Sequence, residues 1–246
     1  MTDVLVLCYH AVSPSWSAPL SVTPDEFERQ LSFLARRGWR ATKFTEALFS
    51  PPAPRTLAIT FDDAFQSVRQ LAYPALRALG WPATVFAPTE FMGARAPLRW
   101  PGIDQWQGTA DEHELISMNW EDLAELAEAG WEIGSHTCTH PLLTAVDDAR
   151  LREELQRSRQ ECTERLGAPC ESIAYPYGVV DERVAARAGE AGYRAAGTLI
   201  SSLRPLGPLR WPRVGIYHVD DYRRFRLKMT PVMRHLRASS LWPTRE

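Results

Sequence analysis

The sequence predicts an α/β protein in which parallel strands alternate with helices, either in a barrel or in a doubly wound sheet. Short apolar runs typical of strands alternate with amphipathic stretches typical of helices, and no repeat or low-complexity segment interrupts them. The chain has 246 residues, of which 45% are hydrophobic and 24% charged, as expected of one globular domain with a substantial core. Roughly seven strands in one layer would suit an incomplete or distorted barrel.

Each candidate strand is a short apolar run. The runs lie at residues 4–9, 57–61, 83–87, 131–135, 172–175, 193–197 and 214–217. Helical stretches separate most of them, so we expect the strands to be parallel.

Capping residues locate three of the helices. Thr23 caps a helix that has Pro24 at its first position, and Asn119 caps a second helix. The third helix covers residues 147–166 and stops at Gly167, a residue that readily adopts the left-handed conformation found just after helix ends.

Residues 91–118 depart from this alternation, because the segment is too long and too rich in Trp, Pro and Gly for a simple connection. A long structured loop of this kind often serves as a lid or as the wall of a binding site. The alternative is an insertion that packs on the surface.

Residues 222–246 form a basic C-terminal tail. Between residues 222 and 242 there is no acidic side chain, whereas the cationic ones are Arg223, Arg224, Arg226, Lys228, Arg234 and Arg237. Such a tail would contact an anionic membrane surface or a phosphate-bearing substrate, or it would be the solvated face of a docked helix.

Charge and targeting features narrow the class of protein further. The net charge is −2, from 28 basic and 30 acidic residues, so no overall positive field would hold a nucleic acid. The sequence begins in a strand without signal-peptide features, and no apolar run reaches the roughly 18 residues of a membrane span. The four cysteines include no CxxC pair, so we expect reduced thiols. These features predict a cytoplasmic protein, with the basic tail as a means of peripheral contact with the inner membrane.

The residues that carry chemistry follow directly after candidate strands. His10 follows the first strand, Asp62 and Asp63 follow the second, His136 follows the fourth and residues 176–178 follow the fifth. The carboxyl ends of parallel strands gather at one rim of an α/β fold, where ligands bind. We therefore expect these side chains to converge.

His136 and His140 are a candidate pair of metal ligands. On a helical turn, side chains four residues apart lie on one face, so both imidazoles can reach a common ion. Cys138 lies between them and points away on such a turn, which favours a packing role for it.

Asp62 and Asp63 are adjacent carboxylates, which repel each other unless a nearby cation offsets their negative charge. A metal ion does this, because one aspartate binds it while the other stays free as a base. The alternative is a cap at a strand-to-helix junction, with Asp63 or Ser67 accepting from backbone donors. A cap explains one aspartate better than two.

Three ordered motifs resemble those of the polysaccharide deacetylase family, also called the NodB homology domain or carbohydrate esterase family 4. They are Thr60-Phe61-Asp62-Asp63, Ser135-His136-Thr137-Cys138-Thr139-His140 and Ala174-Tyr175-Pro176-Tyr177-Gly178. The resemblance spans roughly residues 4–220. It implies an α/β fold of the distorted (β/α)7 barrel type, as in NodB-homology deacetylases and related glycoside hydrolases, with residues 1–246 as a single domain.

The resemblance also implies a function, the metal-dependent hydrolysis of N-acetyl groups on a sugar or polysaccharide intermediate to give acetate and a free amine. Asp63, His136 and His140 would be the metal ligands, and Asp62 would be the catalytic base. Zn²⁺ is the first expectation for the metal, with Co²⁺, Ni²⁺, Mn²⁺ and Fe²⁺ as alternatives.

The sequence departs from the family pattern in three places. Ala174 stands where many members have an arginine, Ala64 stands where glycine usually follows the paired aspartates, and the late Leu-x-x-His motif is missing. We expect Arg213 to replace the missing arginine and to orient Asp62 as part of the catalytic site. The alternative is an ordinary surface arginine.

His10 is the expected general acid in the absence of the late histidine. Tyr9-His10 resembles the first-strand pattern of a subgroup similar to poly-N-acetylglucosamine deacetylases. The side chains of Val6 and Cys8 alternate onto the same face as His10, so His10 would continue a row that faces the barrel interior.

Aromatic residues near the motifs are the candidate substrate contacts. The aromatic ones are Tyr175, Tyr177, Trp100 and Trp106, and Pro176 between the two tyrosines is included with them. The aromatic rings could support the faces of a pyranose, although core packing explains the tyrosines nearly as well. A backbone N–H near Tyr177 is expected to help stabilise the oxyanion.

Other functions share parts of this pattern. Two histidines and a carboxylate also describe non-haem Fe(II) oxygenases, although Asp63 precedes His136 by more than seventy residues and the carboxylate of those enzymes is usually close to the first histidine. A catalytically silent sugar-binding module would fit Ala174 and the missing late motif. A deformylase or deacetylase of a lipid-linked sugar at the inner membrane face would fit the basic tail.

Overall fold

The computed structural model describes residues 3–93, 96–239 and 242. Residues 94 and 95 of the predicted loop at 91–118 therefore lie outside the described residues, as do residues 240, 241 and 243–246 of the predicted tail. The extent of the single domain from residue 1 to 246 stays a prediction.

The described residues form eleven strands, most of which are short and buried. They are β1 (Asp3–Tyr9), β2 (Ala11–Val12), β3 (Ser21–Val22), β4 (Arg40–Thr42), β5 (Arg55–Phe61), β6 (Thr84–Ala87), β7 (Glu132–Ser135), β8 (Ser172–Ala174), β9 (Ala195–Thr198), β10 (Trp211–Pro212) and β11 (Val214–Gly215). All seven predicted runs overlap strands of this set. The sequence gives no signal for β4, which is partly exposed and polar, or for the two-residue strands β2 and β3, which are too short to show a periodicity.

Eight α-helices connect or flank the strands in the described residues. They are α1 (Pro24–Arg36), α2 (Phe44–Phe49), α3 (Tyr73–Ala78), α4 (Trp120–Glu128), α5 (Asp148–Leu166), α6 (Glu182–Glu190), α7 (Tyr222–Lys228) and α8 (Pro231–Ala238). The predicted caps are confirmed, because the side chains of Thr23 and Asn119 accept hydrogen bonds from the third residue of their helices, and Gly167 ends α5 with a φ of 64°. Within the described residues, none of the helices has both the length and the apolar character of a membrane-spanning segment.

The main sheet is a nearly closed barrel of parallel strands, which confirms the predicted distorted (β/α)7 barrel. Around it the order is β10, β9, β8, β7, β6, β5, β1 and β11. Strands β10 and β11 are the two halves of one extended segment, in which Trp211 pairs with Gly197 of β9 and Val214 pairs with Leu7 of β1. This segment closes the ring, and it changes partner at Arg213.

The side chains of β1 show how the barrel separates two cores. Val6 faces the interior and packs with Ala58, Phe86 and Ala174 from neighbouring strands. Leu5, Leu7 and Tyr9 face outward into the larger core beneath the helices. Because side chains alternate along a strand, Cys8 and His10 continue the interior row toward the carboxyl rim.

The C-terminal tail forms α7 and α8, and α7 is docked on the barrel's outer layer. Phe225 is buried and makes an edge contact with Phe33 of α1. Two cations of the tail are paired with acids, since Lys228 contacts Asp220 and Arg234 contacts Asp3. The described part of the tail is therefore a docked helical pair rather than a free basic segment.

Candidate active site

A cavity of about 260 Å³ opens at the carboxyl ends of the strands. It brings together the predicted residues that follow different strands, together with the loops around them. The histidines and aspartates that line it are His10, Asp62, Asp63, His136 and His140. A larger cavity of about 550 Å³ lies near the amino ends of the strands, but its Glu132 is held by Thr45 and Ser172 within the fold.

Asp63 lies between the two imidazoles. Its Oδ1 atom is 3.3 Å from Nε2 of His136 and 3.5 Å from Nε2 of His140, and all three side chains are buried. Burial alone would raise the pKa of the Asp63 carboxyl, but a hydrogen bond with His136 and the charge of His140 bring this pKa below its usual value.

These three residues fit a divalent metal ion. Nδ1 of His136 lies 2.8 Å from the carbonyl oxygen of Ala174, which can only accept, so Nδ1 carries a proton and Nε2 of the neutral ring is an acceptor that faces Asp63. In the neutral ring a bound cation would join these two acceptors, and without one a proton on Nε2 makes the same contact a hydrogen bond. Ligand bonds of about 2.0–2.1 Å in tetrahedral geometry place donor atoms about 3.3 Å apart, close to the distances found here.

The loop that carries the histidines differs from the prediction. Residues 136–140 do not form a helical turn, because Thr137 and His140 have φ values of 66° and 58° in the left-handed region. The main-chain N–H of His140 donates to Oγ1 of Thr137 instead. His136 and His140 do converge as predicted. However, a loop with left-handed residues brings them together, and not a shared face of a helix.

Backbone strain in the described residues is concentrated around this cavity. The non-glycine residues with left-handed φ are Asp63, Ala64, Thr137, His140 and Tyr177. Such conformations cost of order 1–3 kcal/mol each and persist where the surrounding structure imposes them. Their position at the rim, including two of the candidate metal ligands, favours this end of the barrel as the functional one.

Asp62 is held by a buried arginine on the closing segment. Nη1 and Nη2 of Arg213 donate to the two carboxylate oxygens at 2.7 and 2.8 Å, and Arg213 is 1% exposed. The Sγ–H of Cys8 donates to the same carboxylate at 3.4 Å. Burial would raise the pKa of Asp62, but the charge and hydrogen bonds of Arg213, with contributions from the nearby imidazoles, together outweigh burial and hold this pKa well below its usual range. The alternative of a surface arginine at position 213 is wrong.

Gly197 makes room for this arginine. A Cβ atom at Gly197 would lie 2.6 Å from Nε of Arg213, which is too close for any real contact. Gly197 is also the register partner of Ala174 on the adjacent strand, where many family members are expected to have an arginine. The guanidinium therefore reaches Asp62 from the β10–β11 segment, which lies two positions along the barrel order from β8, the strand of Ala174.

His10 lies beside Asp62 at the end of the interior row of β1. It is 7% exposed, and among the described residues its Nδ1 atom has no hydrogen-bond partner. Ring nitrogen, thiol and carboxylate atoms of His10, Cys8 and Asp62 lie within 4.8 Å of one another. Burial lowers the pKa of His10, and the nearby carboxylates of Asp63 and Asp62 oppose this effect in part.

Aromatic rings enclose the site. Trp100 stacks on His140 with a centroid distance of 4.1 Å, and Tyr177 makes an edge contact with the same ring at 4.8 Å. Trp106 also lines the cavity. The described part of the loop at 91–118 is thus a wall of the binding site, and the alternative of a surface insertion is wrong for it.

Tyr175 and Pro176 do not line the cavity, unlike Tyr177. Tyr175 is fully buried in the outer core, and its hydroxyl donates to the carbonyl oxygen of Leu209 at 2.9 Å. The chain turns at Tyr177, whose φ of 60° directs this residue toward the site. Core packing, the alternative weighed for the tyrosines, accounts for Tyr175 and not for Tyr177.

Sequence reasoning missed Glu154, a buried acid in α5 whose carboxylate accepts hydrogen bonds from the histidine loop. One signal was present in the sequence. Glu154 interrupts the apolar stripe of the helix, between Leu151 and Leu155 and before Ser158, all of which are buried. A carboxylate on a buried helix face requires a partner, and here the partner is the loop that carries His140.

Fold and site together define a (β/α)7-barrel protein with a candidate metal centre at the carboxyl ends of its strands. The chain belongs to the polysaccharide deacetylase family, whose model, described as "Polysaccharide deacetylase", matches residues 50–196. The family resemblance of the sequence motifs is thereby confirmed.

Individual relatives are distant and longer than this chain. YxkH of Bacillus subtilis (strain 168) is 27% identical over 198 residues, which cover 78% of this chain and 63% of that protein. The poly-beta-1,6-N-acetyl-D-glucosamine N-deacetylase of Staphylococcus aureus (strain MSSA476) is 25% identical over 177 residues, which cover 66% of this chain and 55% of that protein. The chain thus spans between about half and two thirds of the length of these relatives.

A solved structure shows the same fold. BC0361, a polysaccharide deacetylase from Bacillus cereus, superimposes with a TM-score of 0.75 at 23% sequence identity, covering 93% of this chain and 69% of that one. At this level of identity the likeness extends to the barrel alone.

Proposed function

We propose that this protein is a metal-dependent hydrolase that removes N-acetyl groups from an N-acetylated sugar or polysaccharide intermediate, releasing acetate and a free amine. The observation that carries the proposal is that two adjacent aspartates on one rim have different partners. Asp63 faces two imidazoles with the spacing of metal ligands, while the adjacent Asp62 is held apart by Arg213. The named activity of the Staphylococcus aureus relative supports the same chemistry.

Asp63, His136 and His140 would hold the divalent ion. When bound, such an ion lowers the pKa of a water molecule toward about 7 and polarises the carbonyl of the amide. Zn²⁺ is our first choice, and Co²⁺, Ni²⁺, Mn²⁺ or Fe²⁺ would suit the same nitrogen and oxygen donors.

Asp62 is the proposed base. Its carboxylate stays unprotonated because Arg213 donates to both oxygens. Oδ2 also accepts from Cys8, so Oδ1 is the oxygen that keeps a further lone pair for the proton of the attacking water. The low pKa of this carboxyl means that it holds the proton only briefly and passes it on readily. His10, whose ring lies within reach of Asp62, is the proposed recipient.

His10 would then act as the general acid. Burial keeps its imidazole neutral in the free protein, so the ring acquires its proton during the reaction and delivers it to the amine nitrogen as the C–N bond breaks. An amine anion is a poor leaving group, and this proton transfer is what allows the amine to depart.

The cavity suits one sugar unit. Its volume of about 260 Å³ is below the range of about 300–1,000 Å³ that is usual for larger ligands. Trp100, Trp106 and Tyr177 are placed to contact the apolar face of a pyranose. A backbone N–H near Tyr177 would donate to the oxyanion.

Removal of the metal is expected to abolish the activity. We expect the purified protein to release acetate from N-acetylglucosamine oligomers, to lose this activity after dialysis against a chelator, and to regain it when one equivalent of Zn²⁺ is added. Acetate and free amine are measured together, with far-UV circular dichroism to show that the metal-free protein is folded.

Each competing function gives a different result in the same assay. A silent sugar-binding module would bind the oligomer without releasing acetate, and a non-haem Fe(II) oxygenase would consume dioxygen. Undiminished acetate release from protein shown by elemental analysis to be metal-free would contradict the proposal.

The surface of α8 favours a second proposal, a substrate linked to lipid, with an acetyl or formyl group as the leaving acyl group. Val232 is 79% exposed and Leu236 is 45% exposed one turn later, on a helix that follows the arginine-bearing α7 directly in the chain. Apolar side chains among basic ones are typical of helices that bind anionic membranes.

The membrane contact is testable with vesicles. We expect the protein to sediment with phosphatidylglycerol vesicles but not with phosphatidylcholine vesicles, and we expect the Val232→Ser/Leu236→Ser variant to remain in the supernatant. Equal sedimentation of the variant and the original protein would contradict the contact, without affecting the proposed hydrolysis.

A further inference from the structure

The two histidines of the candidate metal centre are supported in different ways. Nδ1 of His136 donates to the carbonyl oxygen of Ala174, which fixes the orientation of that ring. Nδ1 of His140 is buried and has no hydrogen-bond partner among the described residues. The direction of the His140 ring therefore comes from its contacts with the rings of Trp100 and Tyr177 and from the backbone that carries it.

The backbone before His140 is held by one buried carboxylate. Oε2 of Glu154 accepts from the N–H groups of Cys138 and Thr139 at 2.7 and 3.0 Å, and Oε1 accepts from Oγ1 of Thr139 at 2.5 Å. Glu154 itself is fully buried, and Arg150 on the same helix contacts its Oε1 atom at 2.6 Å.

The loop needs such an acceptor because its conformation is unfavourable by itself. Thr137 and His140 both have left-handed φ values, so the N–H groups of the residues between them cannot enter a regular helix or sheet. Buried and unpaired, these N–H groups would favour a rearrangement of the loop. The carboxylate of Glu154 satisfies both of them from the rigid α5.

We propose that Glu154 is a positioning residue that sets the metal affinity of the site, by holding residues 138 and 139 so that Nε2 of His140 faces Asp63. The inference rests on the proposed metal centre. Glu154 contacts neither the ion nor the substrate in this scheme and acts only through the loop.

The test compares two buried or half-buried glutamates at opposite ends of the barrel. Glu154→Gln replaces one accepting oxygen by an NH₂ group that cannot accept from the loop. Glu132→Gln is the matched control, because Glu132 also accepts from a backbone N–H and from hydroxyl groups but lies at the start of β7, far from the histidines.

The primary readout is the dissociation constant for Zn²⁺, measured by competition with a chromophoric chelator, alongside the melting temperature of each metal-free protein. We expect Glu154→Gln to weaken Zn²⁺ binding by about 10–100-fold, the range typical of changes to groups that orient metal ligands. We expect Glu132→Gln to bind Zn²⁺ within about twofold of the original protein, even where both variants lose a similar amount of thermal stability.

A milder variant keeps the test decisive if Glu154→Gln fails to fold. Thr139→Ala removes the hydroxyl that donates to Glu154 and accepts from Arg150 but leaves the carboxylate in place, and we expect it to weaken Zn²⁺ binding severalfold while the protein remains folded. Unchanged Zn²⁺ affinity in the Glu154 or Thr139 variants, or an equal loss in Glu132→Gln, would overturn the inference. If the original protein binds no divalent ion at all, the proposed function fails together with it.

Discussion

Asp62→Asn is expected to lower the rate of acetate release by about 10²–10⁴-fold, the usual contribution of a general base, while the protein still binds its divalent ion. Asparagine keeps an oxygen that can accept from Arg213, but it cannot take the proton of the attacking water. The metal ligands are untouched, since Asp63 and not Asp62 faces the imidazoles.

The measurement combines acetate release with metal content and thermal melting of the same preparation. Loss of one charge from a buried ion pair is expected to lower stability, so the melting curve must show that the variant is folded at the assay temperature. Asp104→Asn, on the exposed surface of the 91–118 loop, is the matched control for an aspartate-to-asparagine change. Turnover within tenfold of the original protein would remove Asp62 from the role of base.

The position of these aspartates could be predicted from sequence because it follows from topology. In a parallel barrel every strand points the same way, so residues that come directly after strands share one rim whatever their separation in the chain. This rule alone predicts that His10, Asp62, Asp63 and His136 lie together, and all four line the cavity.

The conformation of the loops could not be predicted in the same way. The spacing of His136 and His140 suits a helical turn, yet the loop is left-handed, because Glu154 supplies acceptors from a helix that begins well after the loop. Tyr175 and Tyr177 are equally aromatic, and a single positive φ decides which one faces the cavity. These loop conformations depend on contacts between residues that are distant in the chain, and local sequence patterns do not show such contacts.

Arg213 is an intermediate case. The absence of an arginine at position 174 made a substitute necessary, and Arg213 lies near the end of the last candidate strand, but no local pattern shows that the chain switches from β9 to β1 at this residue. That switch places the guanidinium inside the barrel. The small size of Gly197 then leaves space for it.

Arg213→Met is expected to lower the free energy of unfolding by about 3–5 kcal/mol, because it leaves the carboxylate of Asp62 buried without its partner. Methionine fills much of the same volume, so the loss would come from the unpaired charge more than from a cavity. Urea denaturation measures this loss, and acetate release should fall with it, since Asp62 would no longer be held unprotonated in one orientation.

The double variant Asp62→Asn/Arg213→Met separates the charge from the packing. It buries neither a lone carboxylate nor a lone guanidinium, so it should be more stable than Arg213→Met although it carries one more substitution. Arg213→Lys keeps the charge but loses the bidentate hydrogen bonding to Asp62. The stability of this variant should lie between that of Arg213→Met and that of the original protein. If the double variant proved no more stable than Arg213→Met, the burial of an unpaired Asp62 could not be the cause of the loss.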